Sequence, residues 1–253
     1  QNPRTPRNEE ERRMIIAMWS GPRNLSTALM YSFAARGDCA VWDEPFYAPF
    51  LKTTGRPDPL RDAVIARHDS DAQSVARACA GAAPGGKPHF YQKHMALHML
   101  PAFPTGFIAQ ATNVFLIRHP ARVVASYAQK REKPTLADIG FVQQAQMFEA
   151  ETRRLGHPPL VIDSADIRAD PRAMLTALCA ALGLPFTDRM LSWPPGPRAY
   201  DGIWAPHWYG AIHRSTGFDG AEGPLPDLPA PFADLAARAM PHYETLAAHR
   251  LRA

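Results

Sequence analysis

The stretch Met14-Ile-Ile-Ala-Met-Trp-Ser-Gly-Pro-Arg-Asn-Leu-Ser-Thr27 decides the fold class. Its first six residues form a continuous apolar run of strand length, the pattern of a strand buried on both faces of a parallel sheet. Ser20-Gly21-Pro22 breaks the run. Ser26 and Thr27 then open helical spacing that lasts to about Arg36 and stops at Gly37, a typical C-terminal glycine. The alternation continues along the chain. Strands are expected at 40–42, 89–93, 112–117 and 160–162, with helical spacing over 58–83, 139–155 and 233–249. Pro120 suits a first helical position, with Val123, Val124 and Tyr127 facing inward. Asp170-Pro171 caps a helix whose Met174, Leu175, Leu178 and Leu182 form one stripe, ended by Gly183. Strands alternating with helices predict an α/β fold, a three-layer parallel sheet flanked by helices.

Composition supports that reading. With 253 residues, 46% apolar and 21% charged, the chain is ordinary globular material, which excludes disorder, collagen and coiled coil. The expected organisation is a charged tail over 1–13, then one domain over 14–253. Within it, 192–231 loses periodicity and gathers Pro, Gly, Trp and Tyr. So long an irregular stretch predicts a lid or substrate-lining segment. Its Trp193, Trp204, Trp208 and Tyr209 suit an apolar ligand pocket and equally a loop that buries its own rings.

The net charge is +4, and only five of the 28 basic residues are Lys, so 23 are Arg, the fork-shaped donor for phosphate and carboxylate. No basic run carries interleaved aromatics, so a polyanionic small molecule is expected rather than nucleic acid. Cys39, Cys79 and Cys179 lie far apart without a CxxC, which supports neither zinc nor a disulfide framework and fits a cytoplasmic setting. No apolar run approaches ~18 residues, so no membrane span is expected. Nothing after Gln1 has the pattern of a signal peptide.

Two constellations carry chemistry. In Ser20-Gly-Pro-Arg-Asn-Leu-Ser-Thr27 a buried strand turns into a helix N-terminus, where free N–H groups and the helix dipole favour an anion. Arg23 adds a cation, and Ser26 and Thr27 add hydroxyls, although a Ser there is also an ordinary N-cap. Counted from Gly21, the Walker places for Gly-Lys-Ser/Thr hold Ser26, Thr27 and Ala28. The phosphate Lys and the Mg²⁺ hydroxyl are both missing. In Phe115-Leu-Ile-Arg118-His-Pro-Ala-Arg-Val-Val-Ala-Ser126, Arg118 leaves the C-terminal end of a strand, where ligands collect in open α/β sheets. A carboxylate partner for Arg118 and a packing role for Ser126 are the plain alternatives.

Taken together, the two constellations resemble the phosphate motifs of the PAPS-dependent sulfotransferases, whose donor is 3′-phosphoadenosine 5′-phosphosulfate. Arg23-Asn-Leu-Ser-Thr27 is similar to that family's Lys/Arg-Ser-Gly-Thr-Thr loop. Arg118 and Ser126, eight positions apart, match its Arg and Ser within a run similar to Arg-Asp-Pro-Arg-Asp-Val-Val-Ala-Ser. The resemblance covers roughly 14–184. It implies a P-loop nucleoside triphosphate hydrolase-like fold and sulfuryl transfer to a hydroxyl or amine of a small-molecule acceptor, without metal. Arg23, Asn24, Leu25, Ser26 and Thr27 would hold the 5′-phosphosulfate, and Arg118 and Ser126 the 3′-phosphate. The sequence departs from the family at Asn24 and Leu25, which replace Ser and Gly, and at Ala28, where cytosolic animal enzymes place a Trp. The family's late Arg-Lys-Gly-x-x-Gly is also absent. His213-Arg-Ser-Thr-Gly-Phe218 sits at a comparable place, which would put Arg214 and Gly217 near the 3′-phosphate.

For the base, Glu44 in Asp-Glu-Pro-Phe resembles the Glu of carbohydrate and bacterial sulfotransferases. His94 and His98, placed after the third strand, compete for the role, and Lys93 would touch the sulfuryl oxygens. His68-Asp-Ser-Asp71 reads as a solvated face and cap, not a metal site. Two other readings stay open: an ATP-dependent phosphotransferase of the same fold, and a non-catalytic nucleotide-binding protein.

Overall fold

β1 (Met14–Ser20), β2 (Cys39–Asp43), β3 (His89–Met95), β4 (Thr112–Ile117) and β5 (Leu160–Asp163) form one sheet in the order β2-β3-β1-β4-β5. Every neighbouring pair is parallel. This computed structural model describes residues 13–129 and 133–253. The tail expected over 1–13 therefore lies, Arg13 apart, outside the described residues. The central strand β1 is flanked on both sides, which is why its residues Ile16, Ala17, Met18 and Trp19 all have no exposed surface.

The helices are α1 (Ser26–Ala35), α2 (Tyr47–Thr54), α3 (Arg61–Arg67), α4 (Ala72–Cys79), α5 (Pro120–Ala128), α6 (Phe141–Leu155), α7 (Ser164–Ala169), α8 (Pro171–Ala181), α9 (Ala205–Trp208) and α10 (Ala230–Ala247). Alternate sheet side chains divide between two cores. Ile16, Met18, Tyr91, Leu116 and Ile162 pack under Leu29 and Phe33 of α1 and Leu175 and Leu178 of α8. Ala17, Trp19, Phe115 and Val161 pack under α4, α6 and α10 through Val75, Phe148 and Leu246. The result is the expected three-layer α/β architecture.

The structure departs from these expectations in four places. The third strand does not end at Lys93 but runs through Met95, so His94 is a strand residue. The helical spacing over 58–83 is two helices, broken at 68–71 because Asp71 caps α4 by accepting from the N–H groups of Gln73 and Ser74. α2 was not expected at all. Its Pro49 falls in the first turn, where the missing N–H costs little. The last helix begins at Ala230, with Pro231 in its first turn.

The topology opens a crevice. From β1 the chain passes through α1 to β2 on one side of the sheet, and from β4 it passes to β5 on the other. The connections after these adjacent strands thus diverge, leaving a cleft between their C-terminal ends. Gly21 and Gly140 tighten its floor. A Cβ on Gly21 would stand 2.7 Å from the Ile139 carbonyl oxygen, and Gly140 adopts φ +72 beside it.

Candidate active site

A cavity of about 480 Å³ lies over this cleft. Residues 22–28, Glu44, Lys93, His98, Arg118, Ser126, Arg214 and Gly217 all line it. Of the residues expected at the site, His94 alone lies outside. The pleat aims it at the opposite core, where it stacks on Trp19 at 4.3 Å and its Nε2 lies 3.1 Å from Gln92 Oε1. Burial and neighbouring His98 push its pKa down to about 3.

The two arginine loops interlock across long sequence separation. Arg23 Nε donates to Ser126 Oγ at 2.9 Å, and Arg118 Nη1 donates to the Arg23 carbonyl oxygen at 2.7 Å. Arg23 itself takes φ +61. Burial and the Arg118 charge lower its pKa, and no carboxylate among the described residues pairs with it. Helix α1 begins beside it with Leu25 at the N-cap and no side-chain cap, so Ser26 is not the ordinary cap that its type allows. Asn24 is tied to β4 through Nδ2 and the Leu116 carbonyl at 3.1 Å, and its buried Oδ1 has no donor among the described residues. An uncapped helix start beside a carboxylate-free guanidinium fits an anionic group. Leu25 serves differently, packing its side chain on the core under α1.

The end of β2 supplies the second half. Glu44 follows the last residue of that strand with φ +46 and is 8% exposed. Lys93, fully buried, places all three protons, on Asp43 Oδ1 at 2.8 Å, Glu44 Oε1 at 2.5 Å and the Tyr209 hydroxyl at 2.8 Å. Burial opposes its charge, yet Asp43 and Glu44 hold it above the usual lysine range. Burial likewise raises Asp43, against the pull of Lys93. Lys93 is therefore a strut under Glu44, its three protons engaged by Asp43, Glu44 and Tyr209. His98 Nδ1 stands 3.9 Å from Glu44 Oε2 without a hydrogen bond. Burial and the Lys93 charge push its pKa down to about 3, so it is a far weaker base than its type suggests.

The irregular segment buries some of its aromatic rings and turns others to the cavity. Trp204 is 1% exposed and packs on Tyr47, while Trp193 packs edge-on to Tyr31. Trp208 and Tyr209 line the cavity. Arg214 is exposed on the cavity wall, and Gly217 is held by pairing with Ser192. Tyr209, which the sequence did not single out for catalysis, donates its hydroxyl to Asp43 at 2.8 Å and accepts from Trp204 Nε1 at 3.2 Å. Arg56 was also missed; it pairs with Asp58 and Asp138 at the cavity's other end. So was Glu222, a carboxylate from the 219–223 segment that lies on Arg118. No group of three or more His, Cys, Asp or Glu among the described residues could hold a metal ion. No helix of the described residues is long and apolar enough to cross a membrane.

The cavity thus brings together, at the C-terminal ends of a parallel α/β sheet, an uncapped helix start, two interlocked arginine loops and a strand-end carboxylate. The chain belongs to the sulfotransferase domain family, whose model matches residues 14–250. Among solved structures it is similar to the sulfotransferase domain from the curacin biosynthetic pathway. The TM-score is 0.50 and the identity 16%, over 90% of this chain and 98% of that one, a likeness of fold. It is also similar to branched-chain-amino-acid aminotransferase-like proteins 1 and 2 of Arabidopsis thaliana, 37% and 35% identical over 93% of this chain. That stretch is 42% of each relative, so the chain spans less than half the length of the curated relatives it matches.

Proposed function

We propose that the chain transfers a sulfuryl group from 3′-phosphoadenosine 5′-phosphosulfate to a hydroxyl or amine of a small-molecule acceptor. The observation that carries this reading is the Arg23–Ser126 hydrogen bond, with Arg118 on the Arg23 carbonyl, which joins the two expected phosphate motifs at one cavity. The bound donor supplies an activated sulfuryl group on a phosphate leaving group. Arg23 and the free N–H groups of α1 take up the negative charge that collects on that phosphate as its bond to sulfur breaks. Ser26, Thr27 and the loop backbone fix the 5′ end, and Arg118 with Ser126 the 3′ end. Glu44 takes the proton from the acceptor as the new bond to sulfur forms, and the product adenosine 3′,5′-bisphosphate leaves. Arg214 and Gly217 edge the 3′ side. Leu97, His98, Trp208 and Ile212 wall the side left for the acceptor.

Calorimetric titration tests the donor reading. Adenosine 3′,5′-bisphosphate without Mg²⁺ should bind tightly and ATP with Mg²⁺ weakly; the reverse preference overturns the assignment in favour of phosphoryl transfer. The base is tested by Glu44→Gln, which should keep bisphosphate affinity while abolishing transfer of labelled sulfuryl in an acceptor screen. Undiminished transfer by that variant removes Glu44 from the role.

A further inference from the structure

Glu222 is the least exposed acid of the irregular segment, its side chain 3% exposed although Gly220, Ala221 and Gly223 around it face solvent. Three guanidinium groups from separate elements converge on it. Arg118 donates to Oε1 from Nε at 3.0 Å and from Nη2 at 2.5 Å, and Arg168 Nη1 does so at 3.2 Å. Arg122 Nε lies 2.9 Å from Oε2 without a well-directed hydrogen bond, and that buried oxygen has no donor among the described residues. The segment is strapped down at two further points, by Arg168 on the Gly220 carbonyl at 3.0 Å and by Arg122 on the Gly223 carbonyl. Arg118 and Arg168 also line the cavity.

Charge and geometry do not balance here. Three fixed positive charges face one buried carboxylate, the exposed Asp219 reaching only Arg168 at 3.9 Å, and their forks offer more donors than the two Glu222 oxygens accept. A phosphate monoester brings three acceptor oxygens and nearly a second negative charge, so it satisfies this cluster better than Glu222 does. We infer that Arg118, Arg122 and Arg168 together form the subsite for the donor's 3′-phosphate, and that Glu222 is an internal carboxylate that fills it until the phosphate displaces it and frees residues 219–223. The inference rests on the donor reading above, and adds Arg122, Arg168 and Glu222 to it. Glu222 thereby sets specificity: a nucleotide without a 3′-phosphate cannot evict it.

The test compares adenosine 3′,5′-bisphosphate with adenosine 5′-monophosphate in wild type and Glu222→Gln, which keeps the side chain's shape. If the carboxylate holds the subsite in most molecules, its neutralisation should tighten the bisphosphate by about tenfold or more and leave the monophosphate unchanged. A second measurement keeps Glu222 intact. The three native cysteines are buried, so Ala221→Cys takes a fluorophore selectively. Its emission should change with the bisphosphate and not with the monophosphate. Bisphosphate binding by wild type that is equal or weaker in Glu222→Gln, or a label that ignores the bisphosphate, overturns the inference alone. No bisphosphate binding by either protein overturns the donor reading and this inference with it.

Discussion

Lys93 shows how much one buried side chain can hold in place. Its ammonium satisfies two buried carboxylates and a hydroxyl at once, and it has no exposed surface. Lys93→Met would leave Asp43 and Glu44 buried without their cation, at a cost of about 3–5 kcal/mol in denaturant unfolding. A loss under about 1 kcal/mol would mean that water reaches the pair. His94 gives a prediction in pH. The folded protein keeps this imidazole neutral down to about pH 3, whereas an unfolded chain protonates it near the ordinary value of about 6.5. Between those values the unfolded state binds the extra proton, so stability is full above the window and falls as pH drops through it. His94→Phe, which preserves stacking on Trp19, should flatten that slope by up to about 1.4 kcal/mol per pH unit, read from urea curves across the window. An unchanged slope would mean that His94 is already protonated or solvated in the folded state.

Among the elements, the loop between β1 and α1 depends on a close backbone approach. Gly21→Ala would drive a methyl into the Ile139 carbonyl, 2.7 Å from the Cβ position, so one of the two backbones must shift. Destabilisation of about 1–3 kcal/mol is expected, with weakened bisphosphate affinity because Arg23 is carried by the same turn. Unfolding and titration of one variant check both effects. Most elements were legible because their signals are local. The β1 run, the Pro120 helix start, the Asp170 cap and the stops at Gly37 and Gly183 each follow from a few adjacent residues. The elements misread are those that neighbours decide. β3 runs past Lys93 because β1 offers partners as far as Ser20, and α2 forms because Tyr47, Phe50 and Leu51 have a core to enter.

Across the whole molecule, Tyr209 is the rivet that fixes the irregular segment to the sheet. Its hydroxyl joins Asp43 at the end of β2 to Lys93 of β3, 166 and 116 residues away. Tyr209→Phe strands those buried partners and should cost about 1–3 kcal/mol of stability while leaving adenosine 3′,5′-bisphosphate affinity unchanged, because the donor loops are elsewhere. Loss of bisphosphate affinity in that variant would place the segment's anchor in donor binding instead. The α/β alternation, the two arginine loops and the strand-end Glu44 can be read from the chain alone, since each depends on periodicity or on spacing within one element and its turn. That His94 faces away, that Lys93 is held by Asp43, Glu44 and Tyr209, and that Glu222 sits among Arg118, Arg122 and Arg168 emerge only when the chain is packed. Those facts depend on the face a pleat presents and on which distant segment crosses the cleft, and contacts between groups a hundred residues apart leave no local pattern in the chain.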